Sequence, residues 1–324
     1  MSVRMRLLRK SMKLSKKSDI NAVAKKGDQD LKSVVVNKDF FREVNEFLER
    51  LVLGGTYHEI VEIGGVKCHK LEVNPKKKYY KKTKPNENKI LLYIHGGGFC
   101  RGFPLHGTFY MKAMMKRLGC KAIAVDYSLS PECIYPTALN EIVSVYKGLL
   151  EQYAPDDIIV TGESAGGNFV LALLMYLRDN NLPLPSCGIM LSPYLNLRND
   201  TPSYEINKAT DVCLTKEILD LMAMSYIKGD YCEIPNPLCE EGYVSPVLLN
   251  FDGLPPLMFC VCSDEILYED TALAYYKAKT KNIKCKLYTD KKCFHAYVVM
   301  GDTTPESRKA CNEIAKFVTS LEKD

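Results

Sequence analysis

The chain has 324 residues, 46% of them hydrophobic and 26% charged, with 44 Lys and Arg against 39 Asp and Glu, a net charge of +5. That balance excludes a disordered or low-complexity chain, and the length suffices for one large α/β domain with a sizeable core or for two ordinary domains. No apolar run reaches the length of a membrane span, and no aromatic-studded basic module speaks for nucleic acid, because only Tyr79 and Tyr80 accompany the internal lysine run.

At the N-terminus Arg4, Arg6, Arg9, Lys10, Lys13, Lys16 and Lys17 precede the first acidic residue, Asp19. Such a run reads as a solvated, partly frayed arm; seating on an anionic lipid surface is the functional alternative. His58 to Ile63 and Val66 to Val73 flank Gly64-Gly65, the pattern of a two-residue hairpin and so of an antiparallel edge. Lys76, Lys77, Lys78, Lys81, Lys82 and Lys84, between Pro75 and Pro85, mark an exposed connection.

Ile90 to Ile94 then reads as a buried strand running into His95-Gly96-Gly97-Gly98-Phe99. Consecutive glycines leave backbone amides unshielded, and such amides stabilise negative charge that develops on an acyl oxygen. A phosphate-binding loop would end in Lys-Ser/Thr, which is absent here. Ala122 to Val125 is the next strand and Thr137 to Tyr153 the next helical stretch. Ile158 to Thr161 leads into Gly162-Glu163-Ser164-Ala165-Gly166, and a helical pattern follows from Ala165 to Leu177. This strand, Ser-tipped turn and helix would lift the Ser164 hydroxyl clear of its neighbours for attack on an acyl carbon. A plain strand-to-helix turn uses the same residue types. If Ser164 is a nucleophile, the amides of Gly97, Gly98 and Ala165 are the expected oxyanion donors.

After the strand Gly188 to Leu191, residues 196–250 interrupt the alternation of strand and helix. Within them Thr215 to Lys228 has helical period and carries Leu219, Leu221, Met222 and Met224, while Pro235, Pro237 and Pro246 mark an irregular return. A methionine-bearing helix serves equally as ordinary core or as an adaptable wall over an acyl site. The strand Leu257 to Cys262 ends at Ser263-Asp264-Glu265, followed by Glu269-Asp270, so a carboxylate at this strand end could meet a loop histidine. Cys285 to Tyr288 is a further strand. His295, in Cys293-Phe294-His295-Ala296-Tyr297, is the only histidine after Ser164, which makes it the expected base in the order serine, acid, histidine. Pro305 to Leu321 reads as a final packing helix. Short apolar strands alternating with amphipathic helices give a mostly parallel sheet with helices on both faces.

In their order, His95-Gly96-Gly97-Gly98-Phe99, Asp126-Tyr127-Ser128-Leu129-Ser130-Pro131-Glu132 with Tyr135-Pro136-Thr137-Ala138-Leu139, and Gly162-Glu163-Ser164-Ala165-Gly166-Gly167 resemble the hormone-sensitive-lipase-like carboxylesterases of the α/β-hydrolase superfamily, over roughly Lys89 to Val299. The resemblance implies Ser164 as nucleophile, His295 as base and acid, an oxyanion hole from Gly97, Gly98 and Ala165, and a helical cap. Residues 1–55 and 196–250 would form the cap, and residues 56–195 and 251–324 the catalytic core. For the acid, anchoring the family's usual Asp-Pro-Leu on Leu267 selects Glu265, thirty positions before His295, with Asp264 the close alternative. Ser128 stands where the family has arginine, and Phe99 where tryptophan is frequent.

The expected activity is serine esterase action on short to medium acyl esters, with a small-molecule ester as partner and neither metal nor organic cofactor. The alternatives are an amide-directed deacetylase or peptidase with the same triad, and a non-catalytic small-molecule-binding homologue. Thirteen cysteines without paired spacing point to reduced thiols and a cytoplasmic location, and Cys100 is the thiol expected nearest the site. Nothing in the sequence fixes the oligomeric state.

Overall fold

Strands buried on both faces read as continuous apolar runs, and every residue of β3 (Ile90–Ile94) and β7 (Leu257–Cys262) is buried. In the computed structural model, which describes residues 1–25, 53–80, 82–229 and 236–322, these runs form the centre of an eight-stranded sheet. Its order is β1-β2-β4-β3-β5-β6-β7-β8. The remaining strands are β1 (Thr56–Ile63), β2 (Val66–Val73), β4 (Lys121–Val125), β5 (Ile158–Glu163), β6 (Cys187–Leu191) and β8 (Cys285–Asp290). The Gly64-Gly65 hairpin pairs β1 with β2, and β2 with β4, antiparallel; β4 through β8 are parallel. Each strand expected from the sequence is present.

Alternate side chains of each strand enter separate cores, as a period of two requires. Ile90, Leu92 and Ile94 pack with α3 (Thr137–Leu150) and α4 (Ala165–Asp179), while Leu91 and Tyr93 pack with α2 (Thr108–Leu118) and α9 (Pro305–Leu321). Helix α9 starts where expected, because the Thr304 hydroxyl accepts from the Ser307 amide and Pro305 opens the first turn.

Between β6 and β7 the chain leaves the sheet and forms α5 (Ser203–Ile206), α6 (Lys216–Lys228) and α7 (Asn236–Cys239). Thr215 caps α6 by accepting from the Ile218 amide, and Gly229 ends it in a left-handed conformation. Helix α8 (Tyr268–Thr280) follows β7. Of the expected cap, residues 26–52 and 230–235, Cys232 among them, lie outside the described residues, and so does Lys81 of the lysine-rich connection.

The basic N-terminus departs from the expected frayed arm. It forms α1 (Val3–Lys25), whose Met5 is fully buried in the core that contains α2 and α9. Seven cations without an intervening acid hide the docking signal, which is carried by Met5 and by cationic side chains that reach backbone carbonyls.

Candidate active site

Parallel pairing sets the strand ends in line. Ile94 lies opposite Gly162, Glu163 opposite Leu191, Leu191 opposite Cys260, and Cys262 opposite Asp290. The segments leaving β3, β5, β6, β7 and β8 therefore emerge at one edge, where ligand sites of open α/β sheets form. All of the sequence-derived site residues lie on those segments.

Ser164 sits between β5 and α4 with φ 54° and ψ −120°, a left-handed conformation that costs a non-glycine residue energy. Gly162 and Gly166 make the turn possible, since a Cβ on Gly166 would stand 2.0 Å from the Ile94 carbonyl oxygen. Ser164 starts α4 but its side chain makes no capping hydrogen bond, so the hydroxyl is not consumed by the helix. Its own carbonyl accepts from the Asn168 and Tyr194 amides, which pins the turn.

The glycine loop abuts this turn. A Cβ on Gly96 would lie 3.0 Å from the Ser164 Cβ. Gly97 and Gly98 have φ of 122° and 61°, open to glycine alone without strain. Among the described residues the amides of Gly97, Gly98 and Ala165 have no acceptor. The Gly96 amide, in contrast, donates to Glu163 Oε1 at 2.8 Å, and His106 Nδ1 lies 2.9 Å from the same oxygen. His95 holds the loop from within. Burial pushes its pKa down to about 4, so the ring is neutral, and Nδ1–H donates to the Gly96 carbonyl at 2.7 Å. Tyr127 stacks on that ring with centroids 4.2 Å apart and donates its hydroxyl to the His95 carbonyl.

The structure joins Glu265 to His295 and turns Asp264 elsewhere. Glu265 Oε2 is 2.7 Å from His295 Nδ1, and both residues are almost fully enclosed. Glu265 Oε1 accepts from the Cys262 amide and from Ser192 Oγ, each at 2.8 Å. Asp264 instead faces Arg9 of α1 at 3.3 Å. For His295, burial lowers the pKa, but the hydrogen bond and charge of Glu265, with Asp211 and Glu163 behind it, outweigh that and raise it. Burial also raises the Glu265 carboxyl, opposed by the bonds from His295 and Cys262. The direction that governs the pair is the rise at His295, because a carboxylate with three donors is held ionised beside the ring. His295 Nε2 is buried and has no hydrogen-bond partner among the described residues.

Three side chains that motif reading leaves without a role complete this frame. Ser192, with φ 44°, bridges the acid and histidine loops by donating to Glu265 and accepting from the Ala296 amide at 3.1 Å. Asp211 accepts from the amides of Ile266, Cys213 and Leu214 and so ties the β6–β7 insertion to the acid loop. Glu163 links the serine turn to the glycine loop. The only sequence signal for Ser192 and Glu163 is their place at a strand end; Asp211 has none.

The insertion closes over the glycine loop. A Cβ on Gly98 would come within 2.0 Å of the Met222 sulfur on α6. Phe99 is 1% exposed and stacks on Tyr226 of α6 at 4.1 Å. At Ser128 the amide and hydroxyl both donate to Glu141 at 2.6 Å. Cys100 is fully buried. Among the described residues no disulfide links the cysteines, and no group of acidic, histidine and cysteine side chains could hold a metal ion.

A family model described as an alpha/beta hydrolase fold matches residues 91–299. The chain is 35% identical over 246 residues to an esterase of Acinetobacter venetianus, covering 75% of this chain and 78% of that protein. It is 30% identical over 233 residues to an acetyl-hydrolase of Streptomyces hygroscopicus, covering 72% and 76%. Among solved structures, an esterase from the bacterial hormone-sensitive lipase family superposes with a TM-score of 0.77 at 26% identity over 91% of this chain and 92% of that one. EstE5, soaked with p-nitrophenyl butyrate, superposes with a TM-score of 0.74 at 25% identity over 86% and 92%. With the sheet order and the family match in agreement, the chain belongs to the hormone-sensitive-lipase-like carboxylesterases of the α/β-hydrolase superfamily.

Proposed function

We propose that Ser164, His295 and Glu265 are the triad of a serine esterase acting on short acyl esters, with Gly97, Gly98 and Ala165 as the oxyanion hole and the β6–β7 insertion, with the N-terminal segment, as its cap. The observation that carries this reading is the enclosed Glu265–His295 pair, bonded through Nδ1 at 2.7 Å with Nε2 left unpartnered. A carboxylate on Nδ1 fixes the tautomer whose Nε2 is a base.

His295 takes the Ser164 proton as the hydroxyl attacks the ester carbonyl, and the three unpaired amides receive the oxyanion. The imidazolium then protonates the leaving alcohol. Water activated by the same ring releases the carboxylic acid and regenerates the serine. Glu265 stays ionised throughout and balances the transient charge.

Short acyl groups are favoured by the wall that Phe99, Tyr226 and Met222 raise against the glycine loop. The name acetyl-hydrolase borne by one relative supports the same reading. Hydrolysis of p-nitrophenyl esters from acetyl to palmitoyl tests it. Turnover should peak at the short esters, and Ser164→Ala should lose about 10⁴-fold or more in kcat. Substantial turnover by that variant would refute the mechanism, and a higher kcat/KM on a matched anilide would reassign the enzyme to amides.

A further inference from the structure

Helix α1 has two faces that do different things. At 100° per residue, Met5, Met12 and Lys16 fall on one side and Val3, Leu7 and Leu14 within about 40° of arc on the other. The first side is docked. Met5 is fully buried, and Arg9 donates to Asp264, to the Cys293 carbonyl and to the Thr210 carbonyl. Lys16 donates to the Asp211 carbonyl and Ser2 to Glu306. The second side is bare, with Val3 at 63%, Leu7 at 64% and Leu14 at 63% exposure. Lys10, Arg6 and Lys13 follow along one flank of that stripe, about 20° to 80° from its edge, are exposed, and have no ion-pair partner among the described residues.

We propose that the outer face of α1, the Val3–Leu7–Leu14 stripe flanked on one side by Arg6, Lys10 and Lys13, seats the protein on the surface of an anionic lipid bilayer. An apolar stripe of this width on a cationic helix matches the boundary between acyl chains and headgroups, where lysine and arginine stems lie along apolar material and their charges reach phosphate. The charge decides between occupants. No acidic residue precedes Asp19, so a second copy would bring like charges together across the contact, whereas an anionic surface neutralises them. Because the inner face is fixed to the body, the stripe is presented already ordered and the entropic cost of binding falls. Arg9 joins α1 to Asp264 and to the Cys293 carbonyl, so the bilayer would lie on the side of the acid and histidine loops. The inference does not depend on the catalytic assignment.

The test is co-sedimentation of the full chain with phosphatidylcholine vesicles and with vesicles rich in phosphatidylserine, at low salt, for the wild type, Leu7→Glu/Leu14→Glu and Lys10→Glu/Lys13→Glu. Partitioning should be about tenfold or more stronger onto the anionic vesicles, and either variant should lower it by about the same factor. The urea-unfolding midpoint of each variant without vesicles should match that of the wild type and reports folding. Absence of anionic binding by the wild type overturns the proposal. So does binding that both variants retain, which would place the contact elsewhere. A wild-type dimer that Leu7→Glu/Leu14→Glu converts to monomer on size exclusion would assign the face to a second copy and also overturn it.

Discussion

Asp264 and Glu265 are neighbours with opposite surroundings, and their variants should separate accordingly. Glu265 is 1% exposed and bonded to His295, Ser192 and the Cys262 amide, while the Asp264 carboxylate faces the half-buried Arg9. Glu265→Gln should lower kcat on p-nitrophenyl acetate about 10²- to 10⁴-fold, and Asp264→Asn by less than about threefold. A reversed order would exchange their roles. The pH profile supplies a second readout. His295 must be neutral to accept the serine proton, and Glu265 raises its pKa. The acid limb of kcat/KM should therefore lie above the ordinary histidine value of about 6.5. In Glu265→Gln the main opposition to burial is removed and only the charges of Asp211 and Glu163 still raise the pKa, so the acid limb should move down and the residual activity should persist to lower pH. An acid limb at the same position in both proteins would remove Glu265 from the pair. The end of β7 is a local pattern that brought several carboxylates within reach of a loop histidine, and the family resemblance, anchored on Leu267, narrowed them to these two. It was silent on Ser192 and Asp211, whose bonds to Glu265 and Ile266 cross 73 and 55 positions of chain.

At the level of elements, every strand and the helices α3, α4, α6 and α9 were legible because each carries its own period, whereas α1, α2 and α8 were not singled out. How the β6–β7 insertion is fastened to the core was not legible, since a lone aspartate carries no period. Asp270 of α8 does this, accepting from Thr201 Oγ1 at 2.8 Å and from the Tyr204 hydroxyl at 3.3 Å. Burial lifts its carboxyl to about 7, against about 3.9 in an unfolded chain. Between those values the native state holds more protons than the unfolded one, so stability falls as pH rises from about 4 to 7, by a ceiling of about 4 kcal/mol. The raised His295 contributes a loss of the same sign through its own folded pKa, so the aspartate must be isolated by substitution. Asp270→Asn should gain about 1–3 kcal/mol relative to the wild type between urea melts at pH 5 and pH 8. Parallel melts at the two pH values would mean that Asp270 is ionised throughout.

Across the whole molecule, the mostly parallel sheet and its antiparallel edge hairpin followed from local patterns, but the strand order and the joining of the N-terminus to the acid loop did not. Parallel apolar strands bury both faces and leave few topologies open, so β3 to β8 and the edge hairpin could be read in advance. Helix α1 is overtly polar and is held where no pattern announces it, by Arg9 on Asp264 and on the carbonyls of Cys293 and Thr210. Arg9 is thus the residue on which the seating of the first helix turns. Its side chain is 19% exposed and bridges the N-terminal helix, the insertion and the histidine loop. Arg9→Ala should cost about 1–3 kcal/mol of stability, most of it from hydrogen bonds of a charged donor, with the exposed part of the ion pair adding little. Because the loss falls on one helix, cleavage should rise first at the basic sites of α1 under limited trypsin digestion, before the sheet opens. Unaltered protection of α1 with an unaltered melting midpoint would show that Met5 and its apolar neighbours hold the helix without Arg9.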